Sequence, residues 1–275
     1  STLDRSSAAS DVYKRQRVRH VTFTGSVTTG KRLYAGAGDD LKRLTLELGG
    51  NDAALVLADA DLDAIVEPLF WGAFWNSGQV CFAIKRLYVH DSLFEPLLAK
   101  LAERAQRTRL GHGLDPQTEL GPLTNAQQLE RVISLVEDAK AHGARIHSGG
   151  TRPDGPGYFY PPTLVSGVAA GVALVDEEQF GPVLPVISFR NEEDAIAQAN
   201  ASHYGLGASV WTRDLARGEA IAGRLEAGLA WVNQHGHIQP GAPKGGHKWS
   251  GLGYEGGQRG YEAFSELQVL NVSRR

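Results

Sequence analysis

Methionine is absent from the sequence, and cysteine occurs once. A single thiol cannot close an internal disulfide, so the fold owes nothing to an oxidising compartment, and a cytoplasmic setting is expected. Long apolar runs are missing too. The longest stretch without charge or strong polarity, 165–175, contains a serine and several small residues and falls well short of a bilayer span, so no membrane partner is expected. Neither sign of charge dominates: 28 Lys plus Arg stand against 31 Asp plus Glu, a formal net charge of -3. No basic stripe interleaved with aromatics runs along the chain, which argues against nucleic acid. His235 and His237 share a loop but have no second cysteine or carboxylate cluster nearby, so they read as polar loop residues and no metal is expected.

What is present is enough to build a core, because 42% of the 275 residues are hydrophobic. Residues 1–16 are polar, lack apolar periodicity and match neither a signal peptide nor a transit peptide, so they read as non-native or disordered. With no methionine to start from and an abrupt change into a strand pattern near Arg17, an N-terminal truncation is expected.

From there the pattern switches repeatedly between periods of two and 3.6 residues. A strand over 18–24, a helix from Gly25-Ser26 to about Gly38, and a strand over 41–48 make one β-α-β unit. Strand 53–57, helix 62–76, strand 84–90 and helix 92–107 continue the alternation. A helix over 125–142 stops at Gly143, a short strand follows at 144–147, and 149–157 is a Gly/Pro-rich loop. Then come strand 183–189, helix 192–200, strand 207–211, helix 214–225 and strand 228–233. Such alternation implies an α/β fold with a mostly parallel, doubly wound sheet. Over 234–260 glycine is dense and periodicity is lost, as in a long functional loop. A strand-like run, 264–272, comes last.

Cys81 bears the first chemical question. A lone cysteine is more often a small buried hydrophobe than a nucleophile, but this one follows Gly-Gln at a helix-to-strand junction, where a thiolate can be exposed and positioned. Glu47 is the second. A strand-end glutamate is ordinarily structural, yet Gly49 and Gly50 behind it let backbone and ligand approach closely, and partial burial would lift its pKa towards that of a general base. Ser26 before a helix is a natural N-cap, and the same helix end also suits a pyrophosphate. Trp71, Phe74 and Trp75 fall at helical spacing and read mainly as core.

Four segments together carry a resemblance: Phe23-Thr24-Gly25-Ser26 with Gly30, Glu47-Leu48-Gly49-Gly50, Gly78-Gln79-Val80-Cys81, and Glu178-Gln179-Phe180-Gly181-Pro182. In order and spacing the chain resembles the NAD(P)-dependent aldehyde dehydrogenases from Arg17 to its C-terminus. The resemblance implies the fold of that family, with a remnant of a Rossmann-like cofactor domain (17–48), a catalytic domain (49–233), a return and substrate loop (234–260) and an oligomerisation strand (261–275). It implies oxidation of an aldehyde to a carboxylic acid with NAD or NADP: Cys81 forms a thiohemiacetal and then a thioester, and Glu47 activates the water that hydrolyses it. It further implies that Gly25, Ser26, Leu48, Gly49, Glu178 and Phe180 hold the cofactor, that Trp75, His235 and Lys244 contact substrate, and that the full-length protein is a homodimer or homotetramer.

Glu47 argues against the members that pass the thioester to coenzyme A, since those usually lack a glutamate here. That activity, and a non-catalytic binding or structural domain, are the alternative readings. Two residues depart from the family pattern: Asn51 stands where many relatives carry lysine, and Lys244 where an aromatic is usual. The lysine would select an anionic substrate, swing out to solvent, or reflect a sequence error. Relatives also carry upstream the opening strands of the cofactor sheet, an asparagine that stabilises the oxyanion and a lysine that binds the adenosine ribose. Loss of an oxyanion donor costs about two to three orders of magnitude in rate, so the chain alone is expected to be weakly active or inactive.

Overall fold

The run from Ala53 to Leu57 is uninterrupted apolar sequence, the composition of a strand covered on both faces, and it builds the middle of the principal sheet. The computed structural model describes residues 17–274, so the segment 1–16 expected to be non-native or disordered lies outside the described residues. The chain begins with β1 (His20–Thr24), α1 (Val27–Ala37), β2 (Arg43–Glu47), β3 (Asp52–Val56), α2 (Leu62–Phe74), β4 (Ile84–His90) and α3 (Asp91–Gln106). It continues through α4 (Ala126–Ala141), β5 (Arg145–Ser148), β6 (Thr163–Ser166), α5 (Ala173–Asp176), β7 (Val183–Phe189) and α6 (Glu192–Asn200). The last elements are β8 (Tyr204–Gly205), β9 (Gly207–Trp211), α7 (Leu215–Ala222), β10 (Leu229–Val232), β11 (His247–Lys248), β12 (Gly251–Leu252) and α8 (Gly257–Glu262).

Seven strands form one sheet in the order β10-β9-β3-β4-β7-β6-β5. Every neighbouring pair in it is parallel except β5 with β6. Alternate residues of β3 feed opposite cores. Ala53 and Leu55 join the apolar side chains of α4, α6 and α7 on one face. Ala54 and Val56 join those of α2 and α3 on the other. Helices therefore cover both faces, as the β-α alternation predicts. No helix among the described residues is long and apolar enough to cross a membrane.

Phe70 of α2 anchors the second core. It is fully buried, packs against Phe74 with ring centroids 5.0 Å apart, and carries the Arg104 guanidinium 4.2 Å above its ring. Phe70→Ala is expected to cost about 3–5 kcal/mol of stability, the usual range for emptying a buried aromatic site, read as a fall in the urea midpoint.

A smaller sheet, β1-β2-β12, stands apart from the first. In it Thr24 lies beside Glu47 in parallel register, and Gly251 pairs antiparallel with Glu47 from the other side. Glu47 is thus held on both edges at the end of β2, and Gly25 N–H donates to its carbonyl at 3.0 Å.

Three expectations change. The 234–260 loop is not irregular throughout, because β11 and β12 tie it to β8 and β2. β6 and the short α5 fall where no element was expected. The strand expected over 264–272 does not form: residues 266–274 carry no regular secondary structure, and Leu267, Val269, Leu270 and Val272 are exposed. Their β-branched and apolar character suits a strand, but no edge among the described residues pairs with it.

Candidate active site

The segment that carries the cysteine is strained on its approach. α2 stops at Phe74, and Asn76, Ser77 and Gly78 then take φ of 51°, 55° and 70° in succession. Left-handed conformations in non-glycine residues cost about 1–3 kcal/mol each and persist where surrounding contacts fix them. Here Asn76 Nδ2 donates to the Gln79 carbonyl and Gln79 Nε2 to the Asn76 carbonyl, both at 3.2 Å, while Ser77 Oγ donates to Gly121 O at 2.7 Å. The Gln79 side-chain oxygen accepts from Thr124 N and Oγ1 at 2.8 and 2.7 Å. Position 78 must be glycine, because a Cβ there would collide with the Gly181 carbonyl. The turn delivers Cys81, half-buried, to the wall of a cavity of about 950 Å³.

Glu47 lines the same cavity. So do Gly25, Ser26, Leu48, Gly49, Trp75, Glu178 and Phe180, which brings nine of the eleven expected site residues onto one surface. One carboxylate oxygen of Glu47 is buried without a hydrogen-bond partner. Its pKa is raised to about 7, chiefly by burial and further by the nearby Glu255 carboxylate, with Lys244 opposing. Burial likewise pushes the Cys81 thiol up. The Lys85 ammonium and the Phe82 N–H oppose that push, whereas Asp52 and Glu178 add to it.

Next to this chamber lies a more apolar cavity of about 360 Å³, walled by Trp71, Phe82 and Pro68 among others. Trp75 and Val80 belong to both cavities, so the residue before the nucleophile forms part of the partition between them. Trp75, 61% exposed, is the outer part of that partition.

The cofactor expectation can be weighed on this geometry. Ser26 caps α1, its Oγ accepting from Thr29 N at 3.3 Å, and the helix opens onto the cavity with Gly25 in front of it. The capping role and an anion-facing helix end therefore coexist at one serine. Glu178 Oε1 accepts from Gly50 N at 3.0 Å and lies 3.6 Å from Lys85 Nζ. Burial raises its pKa, against the pull of Lys85 and the Gly50 N–H. A side chain at Gly49 would collide with the Glu178 carboxylate, so backbone and acid approach closely there. Phe180 takes φ of 48°, and its carbonyl accepts from Gln128 Nε2 at 2.9 Å. A chamber of about 950 Å³ lined by a helix end, an acidic residue and an aromatic has the chemistry to take a dinucleotide.

His235 lines the smaller cavity, and Lys244 is placed otherwise. The His235 ring is almost wholly buried, with Nε2 2.7 Å from Phe82 O and Nδ1 2.9 Å from Ser209 Oγ. The Phe82 carbonyl can only accept, so the ring donates through Nε2, and Nδ1 pairs with the Ser209 hydroxyl, which also accepts from Trp211 Nε1. Both nitrogens are engaged, so this is not a free polar loop side chain; it braces the residue after Cys81 from behind. Lys244 lines neither cavity. Its Nζ is 3.2 Å from Glu255 Oε2, and the two residues also pair through their backbones.

Sequence reasoning passed over Lys85, Asp52 and Arg131. Arg131 Nη2 binds the Glu178 carbonyl and the Glu177 carboxylate, both at 3.0 Å, which fixes the loop that carries Glu178. The basic pair Lys85-Arg86 inside a strand pattern was the available signal for Lys85.

Comparison with known proteins identifies the family and the fold. The model of the aldehyde dehydrogenase family matches residues 2–270. The chain belongs to that family. It is 41% identical over 256 residues to the betaine aldehyde dehydrogenase of Cereibacter sphaeroides (strain ATCC 17025 / ATH 2.4.3), covering 93% of this chain and 53% of that protein. With the betaine aldehyde dehydrogenase of Bacillus subtilis (strain 168) it shares 40% identity over 252 residues, covering 90% of this chain and 51% of the relative. Among solved structures, the NAD+ complex of the aldehyde dehydrogenase from Bacillus cereus superimposes with a TM-score of 0.91 at 38% identity, over 94% of this chain and 53% of that one. The betaine aldehyde dehydrogenase of Staphylococcus aureus in complex with NAD+ gives 0.87 at 36% identity, over 90% and 50%. The chain thus spans about half the length of the aldehyde dehydrogenases it matches.

Proposed function

We propose that the protein to which this chain belongs oxidises an aldehyde to a carboxylic acid with NAD, using Cys81 as nucleophile and Glu47 as general base. The observation that carries the reading is the shared cavity. A thiol from the α2–β4 turn and a carboxylate from the end of β2, far apart in sequence, face one chamber beside a helix end and a second carboxylate.

Cys81, as thiolate, adds to the carbonyl carbon and makes a thiohemiacetal. Gly25, Ser26, Leu48, Gly49, Glu178 and Phe180 would hold NAD, which when bound would supply the acceptor for the hydride that carbon gives up. A thioester on Cys81 results. Glu47 takes a proton from water, the hydroxide adds to the acyl carbon, and the carbon–sulfur bond breaks to release the acid and restore the thiolate. A Glu47 pKa near 7 suits a base that must accept and release a proton at neutral pH. A buried carboxylate with one unpartnered oxygen, on a residue that lines the chamber, supports hydrolysis over transfer to coenzyme A.

NAD is preferred to NADP because the solved relatives from Bacillus cereus and Staphylococcus aureus are NAD+ complexes. The three-stranded sheet supports reading 17–48 as the remnant of a cofactor domain, with 49–233 catalytic and 234–260 returning over β2. Exposed Leu267, Val269 and Leu270 support reading 261–275 as a strand that pairs with a second copy; a shortened chain that sediments like the intact one would end that idea. The decisive experiment supplies NAD or NADP with a panel of aldehydes, betaine aldehyde first. It follows cofactor reduction by absorbance and the acyl adduct on Cys81 by mass spectrometry. Cofactor reduction without an adduct at Cys81 would exclude the mechanism.

A further inference from the structure

Lys85 is the second residue of β4, and its side chain is 3% exposed. Its ammonium does not escape to solvent as lysines usually do. It turns back on the loop before it, donating to the Cys81 carbonyl at 2.7 Å and the Val80 carbonyl at 2.9 Å. On its other side stands the Glu178 carboxylate, 3.6 Å away. Burying an ammonium costs several kcal/mol unless its protons are satisfied and a counter-charge is near. Both conditions are met here by the nucleophile's own backbone and by an acid of the chamber wall.

The surrounding charges make the arrangement one-sided. Asp52, in β3, is buried with neither carboxylate oxygen hydrogen-bonded, and the nearest ring nitrogen, His235 Nε2, is 3.6 Å away and directed to Phe82 O. Glu178, from the loop before β7, and Glu47, from the end of β2, line the same chamber as Cys81. Arg131 is bound to the Glu178 backbone and to Glu177. A thiolate at Cys81 would thus form among carboxylates, and the cation with a coulombic pull on it is Lys85.

We propose that Lys85 is a positioning residue of the catalytic centre: its buried ammonium clamps the carbonyls of Val80 and Cys81 and supplies the charge against which the Cys81 thiolate forms. The proposal rests on the reading of Cys81 as nucleophile. It assigns β4 two tasks, as a core strand and as the mount of that charge. It also joins Glu178 to the nucleophile loop through one side chain, so the same cation restrains both walls of the chamber.

The test is the rate of Cys81 alkylation by iodoacetamide, read by mass spectrometry of the full chain from about pH 6 to about pH 10, where the thiolate is the reacting form. In Lys85→Met the profile is expected to move to higher pH, with the rate at neutral pH falling about tenfold for each unit moved. Lys85→Arg keeps the charge and is expected to stay within about threefold of the parent. Asp52→Asn and Glu178→Gln leave Lys85 in place and remove opposing charge, so their profiles are expected to move to lower pH. They decide the matter if Lys85→Met fails to fold. The proposal is overturned if Lys85→Met slows alkylation equally at every pH, or if neither carboxylate variant moves the profile. A parent protein whose Cys81 resists alkylation at all pH values removes the nucleophile reading itself, and this proposal with it.

Discussion

Replacing Cys81 by serine in the full-length protein is expected to lower aldehyde oxidation by at least about four orders of magnitude, the scale on which removal of an enzymic nucleophile is felt. Serine nearly matches cysteine in size and the position is half-buried, so thermal stability should hardly change. The residues assigned to the cofactor are untouched by the substitution, so NAD binding measured by fluorescence titration should persist with a similar Kd. The thioester signal on residue 81 should vanish from the mass spectrum. Retained turnover in the serine variant would refute the assignment, because a hydroxyl in this buried setting has no cation adequate to ionise it. Loss of turnover together with loss of NAD binding would instead mean that the turn at 76–78 had collapsed.

The order of elements was readable because apolar runs and their breakers follow simple periods. β3, β7 and β9 are short, mainly apolar stretches with turn residues on either side, β4 keeps Ile84, Leu87, Tyr88 and Val89 around its basic pair, and the parallel arrangement follows from the helices between them. β6 escaped notice because it follows Pro161-Pro162 and a glycine-rich loop, signals that normally mark irregular chain, although Thr163 to Ser166 is fully buried. The terminal run failed for the opposite reason. Its residues favour a strand, but a strand needs an edge, and pairing lies outside what local propensity encodes.

The site divides in the same way. Cys81 and Glu47 stood out through motif order, whereas nothing in the periodicity says that the end of β2 and the α2–β4 turn meet; sheet topology does that. The environment of His235 was not legible, because its partners Ser209 and Phe82 come from other elements. Lys244 appeared as an oddity in sequence, and only the antiparallel bridge to Glu255 shows where its charge goes.

That pair matters for the second large effect. Glu47→Gln is expected to lower steady-state turnover by about 10²–10⁴, the usual contribution of a general base, while leaving Cys81 acylation intact. Rapid mixing should then show a burst of reduced cofactor, close to one per active site, before a slow phase. No burst would mean that Glu47 acts before the thioester forms. In the parent, hydrolysis requires Glu47 ionised, so its rate should rise with pH through about 7 and level off above. Glu255 raises that pKa and Lys244 lowers it, so Lys244→Met should move the rising limb to higher pH and Glu255→Gln to lower pH. Stability follows the same ionisation. The folded-state pKa lies above the ordinary 4.5, so the protonated carboxyl favours the folded state, and that contribution is lost as pH rises through about 7. Glutamine cannot ionise, so the variant should lose less stability than the parent as pH rises from about 4.5 to about 7 in urea titrations. A parent and variant with parallel stability curves over that range would show that Glu47 is solvated in the folded protein, and its fitness as a base at neutral pH would then need another source.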